Sequence, residues 1–409
     1  MNPPPVPRRN PVASFFIGIW DVMNFTRRLI LNLLFFGLLF LILIGLMVAV
    51  GKGASSTTVL QEGTTLVIAP EGRLVEQYST DPLSRALGKA LGETNAEELQ
   101  LRDLIRAIEA AKDDKKINRV VLQLDKLQPS GFASMREVTA ALQDLRAAKK
   151  QVVAFSENMG QSQYLLAAQA DEVYLDPMGG LLLEGLGRYR QYFRSGLQDK
   201  LGVDVHLFKV GEFKSAAEPY VLDAASPQAK EADLFWMNDV WQRYLGDIAK
   251  ARKLDAAQLA AGIDTLPEGI AAAEGDLARF ALQQKLVDGL KTREEVDALL
   301  TEIGLGEYLT QLDARRSPMD SRPQVAVVVA EGEIAGGDLP AGRIGGVSTS
   351  ALLREARDDD DVKAVVLRVD SPGGEVFASE QIRREVEALK AAGKPVVVSM
   401  GDMAASGGY

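Results

Sequence analysis

Two stretches of this 409-residue chain have the residue types for acyl transfer: Ser406-Gly407-Gly408 and Pro372-Gly373-Gly374. Each follows a short run rich in Val, 396–399 before the serine and 365–370 before the glycine pair. A serine with Ala404 and Ala405 before it and two glycines after it can occupy a tight strand-to-helix turn that exposes its hydroxyl. Backbone N–H groups in such a turn aim at one point, and a helix starting there adds its positive end. Glycines at 373 and 374 let a second backbone approach without a Cβ in the way. Together the two turns could form an oxyanion hole. Singly, glycine pairs are ordinary turns; their placement at matching points of a repeat sets these apart.

The repeat is direct. Val120-Val121-Leu122-Gln123-Leu124-Asp125, Phe132-Ala133-Ser134 and Tyr164 recur as Val365-Val366-Leu367-Arg368-Val369-Asp370, Phe377-Ala378-Ser379 and Tyr409, 245 residues later. Internal repetition points to two similar subdomains. A register of 244 instead matches Met159 to Met403 and sets Ser162 opposite Ser406. In either register the first copy lacks the glycines after the serine.

A serine nucleophile needs a base. The sole histidine, His206, lies in an alternating run at 203–208 that reads as a strand, where a lone histidine is usually structural. Lysine is the other option, since desolvation can leave an amine neutral near pH 7. Lys209, at the end of that run, and Lys214, among small residues in a loop-like segment, are both candidates.

The elements that must position these groups alternate in type. Leu66-Val67-Ile68-Ala69 and 325–330 read as strands, each followed by a Glu-Gly pair, and 102–112 has helical spacing. Strand and helix alternate through each copy, and continuous apolar strands imply burial on both faces, so the fold class is α/β with parallel-rich layers. Residues 231–300 read as mostly helical, with breaks near Pro267 and Gly289.

Composition narrows the partners. No cysteine is present, so disulfides, thiolate metal sites and a cysteine nucleophile are excluded, and one histidine excludes a multi-histidine metal site. The formal net charge of −10 argues against nucleic acid. Residues 1–28 hold Arg8, Arg9, Arg27 and Arg28 against Asp21 alone. Residues 29–50 carry no charge and are long enough to span a bilayer as an uncleaved anchor. The arginines before them keep the amino terminus cytoplasmic and place the rest beyond the membrane. The expected organisation is a basic segment at 1–28, a transmembrane helix at 29–50 and a tether at 51–63. A first repeat with a helical extension follows at 64–314, then a linker at 315–323 and a second repeat at 324–409.

Three motifs carry a resemblance: Gly-x-Phe-Lys-Ser-Ala-x-Glu-Pro-Tyr at 211–220, Asp-Ser-Pro-Gly-Gly at 370–374 and Met-Ala-Ala-Ser-Gly-Gly-Tyr at 403–409. With the anchor and the repeat, they resemble the long, duplicated form of the signal peptide peptidase A family, Ser/Lys peptidases on a crotonase-like (ClpP-like) fold. The resemblance implies Ser406 as nucleophile, Lys214 as general base, and the N–H groups of Gly374 and Gly407 as oxyanion donors, with Gly373 close by. It implies no metal or cofactor. It also implies a membrane-tethered ring of four chains in a bacterial inner membrane, with its catalytic part periplasmic, acting on signal peptide remnants and other short apolar peptides. Family members use a second, downstream serine to hold the lysine, and the chain stops three residues after Ser406. The expectation is therefore that the second repeat is incomplete and the 409-residue chain inactive by itself. Two alternatives stand beside this reading: a crotonase-fold enzyme acting on acyl-CoA thioesters, and a non-catalytic membrane scaffold.

Overall fold

Val67, Val121 and Val153 stack on one face of a parallel sheet, while Leu66, Ile68, Val120, Leu122, Val152 and Ala154 fill the other. Both faces are covered, so these strands read as continuous apolar runs. The computed structural model describes residues 11–53, 60–85, 98–298, 302–315 and 323–409. Two units make up the chain, Met1–Val59 and Leu60–Tyr409.

The described residues of the first unit form one helix, α1 (Pro11–Gly53), whose stretch Phe15–Leu41 is 27 residues long and apolar enough to cross a membrane. It begins well before residue 29, because 12–26 contain no helix breaker other than Gly18 and are rich in Phe, Ile and Val. Arg27 and Arg28 thus lie within a continuous helix instead of preceding one. Residues 51–53 of the expected tether are its last turn, and 54–59 lie outside the described residues, as do 316–322 of the expected linker.

The second unit contains both repeats. In the first, β1 (Thr64–Ile68), α2 (Leu101–Asp113), β2 (Ile117–Gln123), α3 (Phe132–Ala147), β3 (Gln151–Met159), α4 (Gln161–Ala167) and β4 (Glu172–Leu181) follow in order. With β5 (Gly289–Leu290) and β6 (Glu302–Gly304) they give a parallel sheet of order β5-β4-β3-β2-β1-β6. The second repeat holds β7 (Gln324–Glu331), α6 (Gly346–Asp358), β8 (Val362–Ser371), α7 (Val376–Ala391) and β9 (Val396–Ala404), with parallel order β9-β8-β7. The shared order β3-β2-β1 and β9-β8-β7 is the repeat in three dimensions. Leu101, Leu104, Ala107, Ile108 and Ala111 bury one face of α2, as their helical spacing requires. Helices α2 and α6 keep both bounds at an offset of 245, as do β3 and β9. That register sets Ser406 opposite Gln161, not Ser162.

Helices dominate 227–283, led by α5 (Pro227–Arg252), which Ser226 caps by accepting the Ala229 N–H at 3.1 Å. Pro267 lies in the first turn of a new helix, Leu266–Ala272, so the break falls at Thr265. One expectation fails here. Residues 202–209 form no strand, and His206, Phe208 and Lys209 are exposed. Among the described residues no sheet edge pairs with this run, so its alternation has no ladder to join.

Single polar contacts join the repeats. Arg368 on β8 donates to Glu76 Oε1 at 2.5 and 2.9 Å, to Glu137 Oε1 at 2.6 Å and to Ser399 Oγ at 2.9 Å. Glu331 Oε2 accepts the Gln77 N–H at 2.9 Å. Burial raises the pKa of Glu331 above its ordinary value; the carboxylates of Asp370 and Glu76 add to the rise, and the Gln77 N–H opposes it. A raised carboxylate pKa means that the folded state binds more protons than the unfolded one between the two values, so this group's contribution weakens as pH rises through that window. Glu331→Gln keeps an acceptor for Gln77 and removes the charge. Its thermal midpoint should exceed wild type at neutral pH, and the gain should fade as pH falls toward the ordinary carboxylate value of 4.5. Calorimetry at both pH values checks this; a pH-independent gain, or a loss, would contradict it.

Candidate active site

Ser406 has φ +51°, a left-handed conformation rare outside glycine. It opens a single 3-10 turn, Ser406–Gly408, directly after β9 and the extended Ala405. Three bonds hold the corner: the Ala405 N–H to Ser371 O at 3.0 Å, the Gly408 N–H to Ala405 O at 2.8 Å, and the Tyr409 N–H to Ser406 O at 3.1 Å. The serine side chain is exposed at its crest.

The glycines pack around this corner. A Cβ on Gly373, itself at φ +96°, would lie 2.7 Å from Ala405 O, Gly407 N and Ser406 Cβ alike. One on Gly374 would lie 2.0 Å from Ile334 O. One on Gly407 would meet Ser379 Oγ at 2.4 Å and would sit 3.5 Å from Gly374 N. The two backbones therefore pass at van der Waals range, a packing only glycine permits. Among the described residues, neither the Gly374 N–H nor the Gly407 N–H donates to a protein acceptor. They are donors a substrate oxygen could use.

Ser371, which residue type alone did not single out, fixes the turn. Fully buried, it donates from Oγ to Gly332 O at 2.7 Å and accepts the Gly373 N–H at 3.0 Å. The strap is completed by Ile334, whose N–H bonds Gly373 O at 3.0 Å and whose carbonyl accepts the Glu375 N–H at 2.9 Å. Asp370 is the other unflagged residue; its Oδ1 takes the Met403 N–H at 2.9 Å. Burial raises the Asp370 pKa, and the nearby Asp402 carboxylate adds to the rise. Matching Asp125 was the available signal, because in the first repeat its Oδ1 takes the Glu157 N–H, one position earlier in the 245 register.

The first repeat fills the equivalent corner with side chains. Gln163 accepts the Gly160 N–H at 2.6 Å and donates to Leu127 O at 2.9 Å. Gln161, opposite Ser406, is tied to Gly185. Arg293 bridges Asp125 at 2.8 Å and Glu157 at 3.0 Å. Tyr164 is fully buried and donates to Leu286 O at 2.7 Å. Beside Gly407 and Gly408, the second repeat instead has an apolar cavity of about 390 Å³, walled by Ile334, Leu367, Val376 and Ile382.

Lys214 lies on an exposed loop before the short helix Glu218–Val221. The loop is well anchored. Buried Glu218 accepts the Ser226 hydroxyl at 2.6 Å, Arg190 donates to Ser215 O at 2.9 Å, and Tyr220 stacks on Phe193. The Glu-Pro-Tyr of the motif is thus the support for a loop that leaves Phe213 and Lys214 outward. The burial expected around a basic lysine is not supplied by the described residues. No hydrogen bond joins Lys214, Lys209 or His206, all exposed, to Ser406 among them.

A family model, Peptidase family S49, matches residues 144–304. Protease 4 of Salmonella typhi is 40% identical over 410 residues, covering 97% of this chain and 66% of its own length. Protease 4 of Haemophilus influenzae is 35% identical over 403 residues, covering 95% of this chain and 65% of its own length. The chloroplastic serine protease SPPA of Arabidopsis thaliana is 26% identical, covering 76% of this chain and 47% of its own length. A mutant 1510-N membrane-bound stomatin-specific protease aligns at 12% identity and TM-score 0.31, covering 58% of this chain and 84% of that one, too slight a likeness to argue from. The chain spans about two thirds of the length of the two Protease 4 relatives. With the domain matched and similarity running through both repeats, the chain belongs to peptidase family S49.

Proposed function

We propose that this chain belongs to a membrane-anchored serine peptidase in which Ser406 is the nucleophile, Lys214 the general base, and the N–H groups of Gly374 and Gly407 the oxyanion donors. One observation carries the reading: Ser406 is held at positive φ beside two backbone donors that no protein acceptor takes. Backbone strain of this kind, of order 1–3 kcal/mol, persists where the surroundings over-determine it, and it clusters at active sites. Helix α1 is the anchor, the amino terminus is cytoplasmic and the soluble unit periplasmic.

The chemistry follows from these positions. Neutral Lys214 Nζ takes the proton of Ser406 Oγ as Oγ bonds to the peptide carbonyl carbon. The charge that develops on the carbonyl oxygen is met by the two glycine N–H groups, fixed before the reaction. Lys214 then gives its proton to the departing amine nitrogen, leaving an acyl-serine. Water, losing a proton to Lys214, attacks that ester, and Lys214 returns the proton to Ser406 Oγ as the C–O bond breaks and the acid leaves. Because Lys214 is exposed and makes no hydrogen bond to Ser406 among the described residues, the reading requires a closed state in which the 211–220 loop covers the nucleophile, with the homo-oligomeric ring supplying the enclosure. Catalytic bonds often form only with substrate in place. The substrate class, short apolar peptides such as signal peptide remnants, is carried over from the family resemblance of the three motifs. Relatives named proteases along 95% or more of the chain favour this over an acyl-CoA enzyme or a scaffold.

The test is turnover of an apolar fluorogenic peptide by the complete gene product in detergent. Ser406→Ala and Lys214→Ala should abolish turnover, and Lys209→Ala should not. Loss only in Lys209→Ala, or retention in all three, would remove the assignment. Gly374→Ala forces a methyl toward Ile334 O and displaces one donor, so kcat should fall by about a hundredfold or more, the usual cost of losing one oxyanion donor. Wild-type kcat in that variant would take Gly374 out of the oxyanion hole.

A further inference from the structure

Helix α3 belongs to the first repeat, yet a residue of the second repeat caps it. Its N-cap, Gly131, has no side chain to offer. Asp402 Oδ1 instead accepts the Ala133 N–H at 2.6 Å and the Ser134 N–H at 3.0 Å, and Oδ2 accepts the Ser134 hydroxyl at 2.6 Å. A Cβ on Gly131 would lie 1.9 Å from the Asp402 carboxyl carbon, so glycine leaves the carboxylate its room. First-turn amides and a helix's positive end are a natural seat for a carboxylate.

What makes this contact informative is its distance along the chain from Ser406. Asp402 lies four residues before the serine, in the segment where β8 and β9 slip register between Val369 and Ser371. Asp370 takes the neighbouring Met403 N–H, and Ser371 O takes the Ala405 N–H. The bulged end of β9 is therefore pinned on one side by its own repeat and on the other by α3 of the first repeat. The first repeat is an internal comparison. There Glu157 occupies the position of Asp402 and turns to Arg293 at 3.0 Å. Among the described residues no side chain caps α7, the counterpart of α3.

We infer that Asp402 is a positioning residue for the nucleophile: by capping α3 it holds the bulge that sets Ser406 and the Gly407 N–H. The inference rests on Ser406 being the nucleophile. It assigns Asp402 no contact with substrate. Loss of the cap lets the corner shift, and misplacement of about 1 Å can cost on the order of a hundredfold in rate.

The experiment measures kcat and KM of the complete gene product on an apolar peptide, with melting temperature for each variant. Asp402→Ala should lower kcat by about ten- to a hundredfold with KM within about twofold. Asp402→Asn, which keeps an oxygen for both amides, should recover most of that loss. Gly131→Ala, which crowds the carboxylate without altering it, should reproduce the Asp402→Ala defect, and it keeps the test decisive should Asp402→Ala fold poorly. Arg136→Ala, on α3 itself, breaks the 2.7 Å pair with Asp247 of α5 and serves as the stability control, with kcat unchanged. Wild-type kcat in Asp402→Ala or Gly131→Ala, with Ser406→Ala inactive, would overturn the positioning role and leave the nucleophile in place. An equal fall in Arg136→Ala would make the effect one of helix stability and would overturn it too. Turnover surviving in Ser406→Ala would remove the nucleophile itself and this inference with it.

Discussion

A Cβ on Gly373 would have to share space with Ala405 O, Gly407 N and Ser406 Cβ, each 2.7 Å away. That crowding is the constraint on which the corner depends. It demands glycine at 373 and 374, brings a second backbone against the serine turn, and leaves the Gly374 and Gly407 N–H groups without a protein acceptor among the described residues. The left-handed Ser406 is tolerable only because its neighbours are fixed by bonds from Ser371, Ala405 and Ile334. Most of those bonds join backbone groups, which is why the geometry needs few distinctive side chains.

The two repeats show the same scaffold with and without that crowding. In the first, Gln163 supplies from a side chain what the second supplies from backbone, and Arg293 neutralises the carboxylates at 125 and 157. Duplication thus separates tasks. One copy keeps a filled corner and carries the long helical extension with the Lys214 loop, while the other keeps the strained turn. The copies then have to be held in register, and this falls to charged contacts such as Arg368 with Glu76 and Glu137, where burial raises the Glu76 pKa even against the arginine's pull.

Much of this was legible in the sequence because apolar strands and helix periodicity are local signals. The runs at 120–124 and 365–369, the helix at 102–112 and the repeat offset all reappear, with β3 and β9 245 residues apart and α3 and α7 244 apart. Ser406 and the glycine pairs were legible as a turn. The helical start of α1 at Pro11 was hidden by the arginines at 27 and 28, which mark a boundary in charge but not in backbone conformation. Residues 203–208 alternate like a strand yet find no partner, since pairing is a tertiary property. Arg368 and Asp402 do not stand out in the sequence, because the carboxylates that Arg368 pairs with and the helix that Asp402 caps lie 231 or more residues away. Nothing local distinguishes them from the charges around them.

The central claim is that Ser406 is the reactive hydroxyl of this chain. Its most direct test is to treat the complete gene product in detergent with a fluorophosphonate, digest it, and map the adduct by mass spectrometry. The account predicts a phosphonyl group on Ser406, with formation blocked by prior incubation with an apolar peptide substrate. An adduct on another serine, such as Ser162 or Ser379, or no adduct in a preparation that still cleaves peptide, would contradict it.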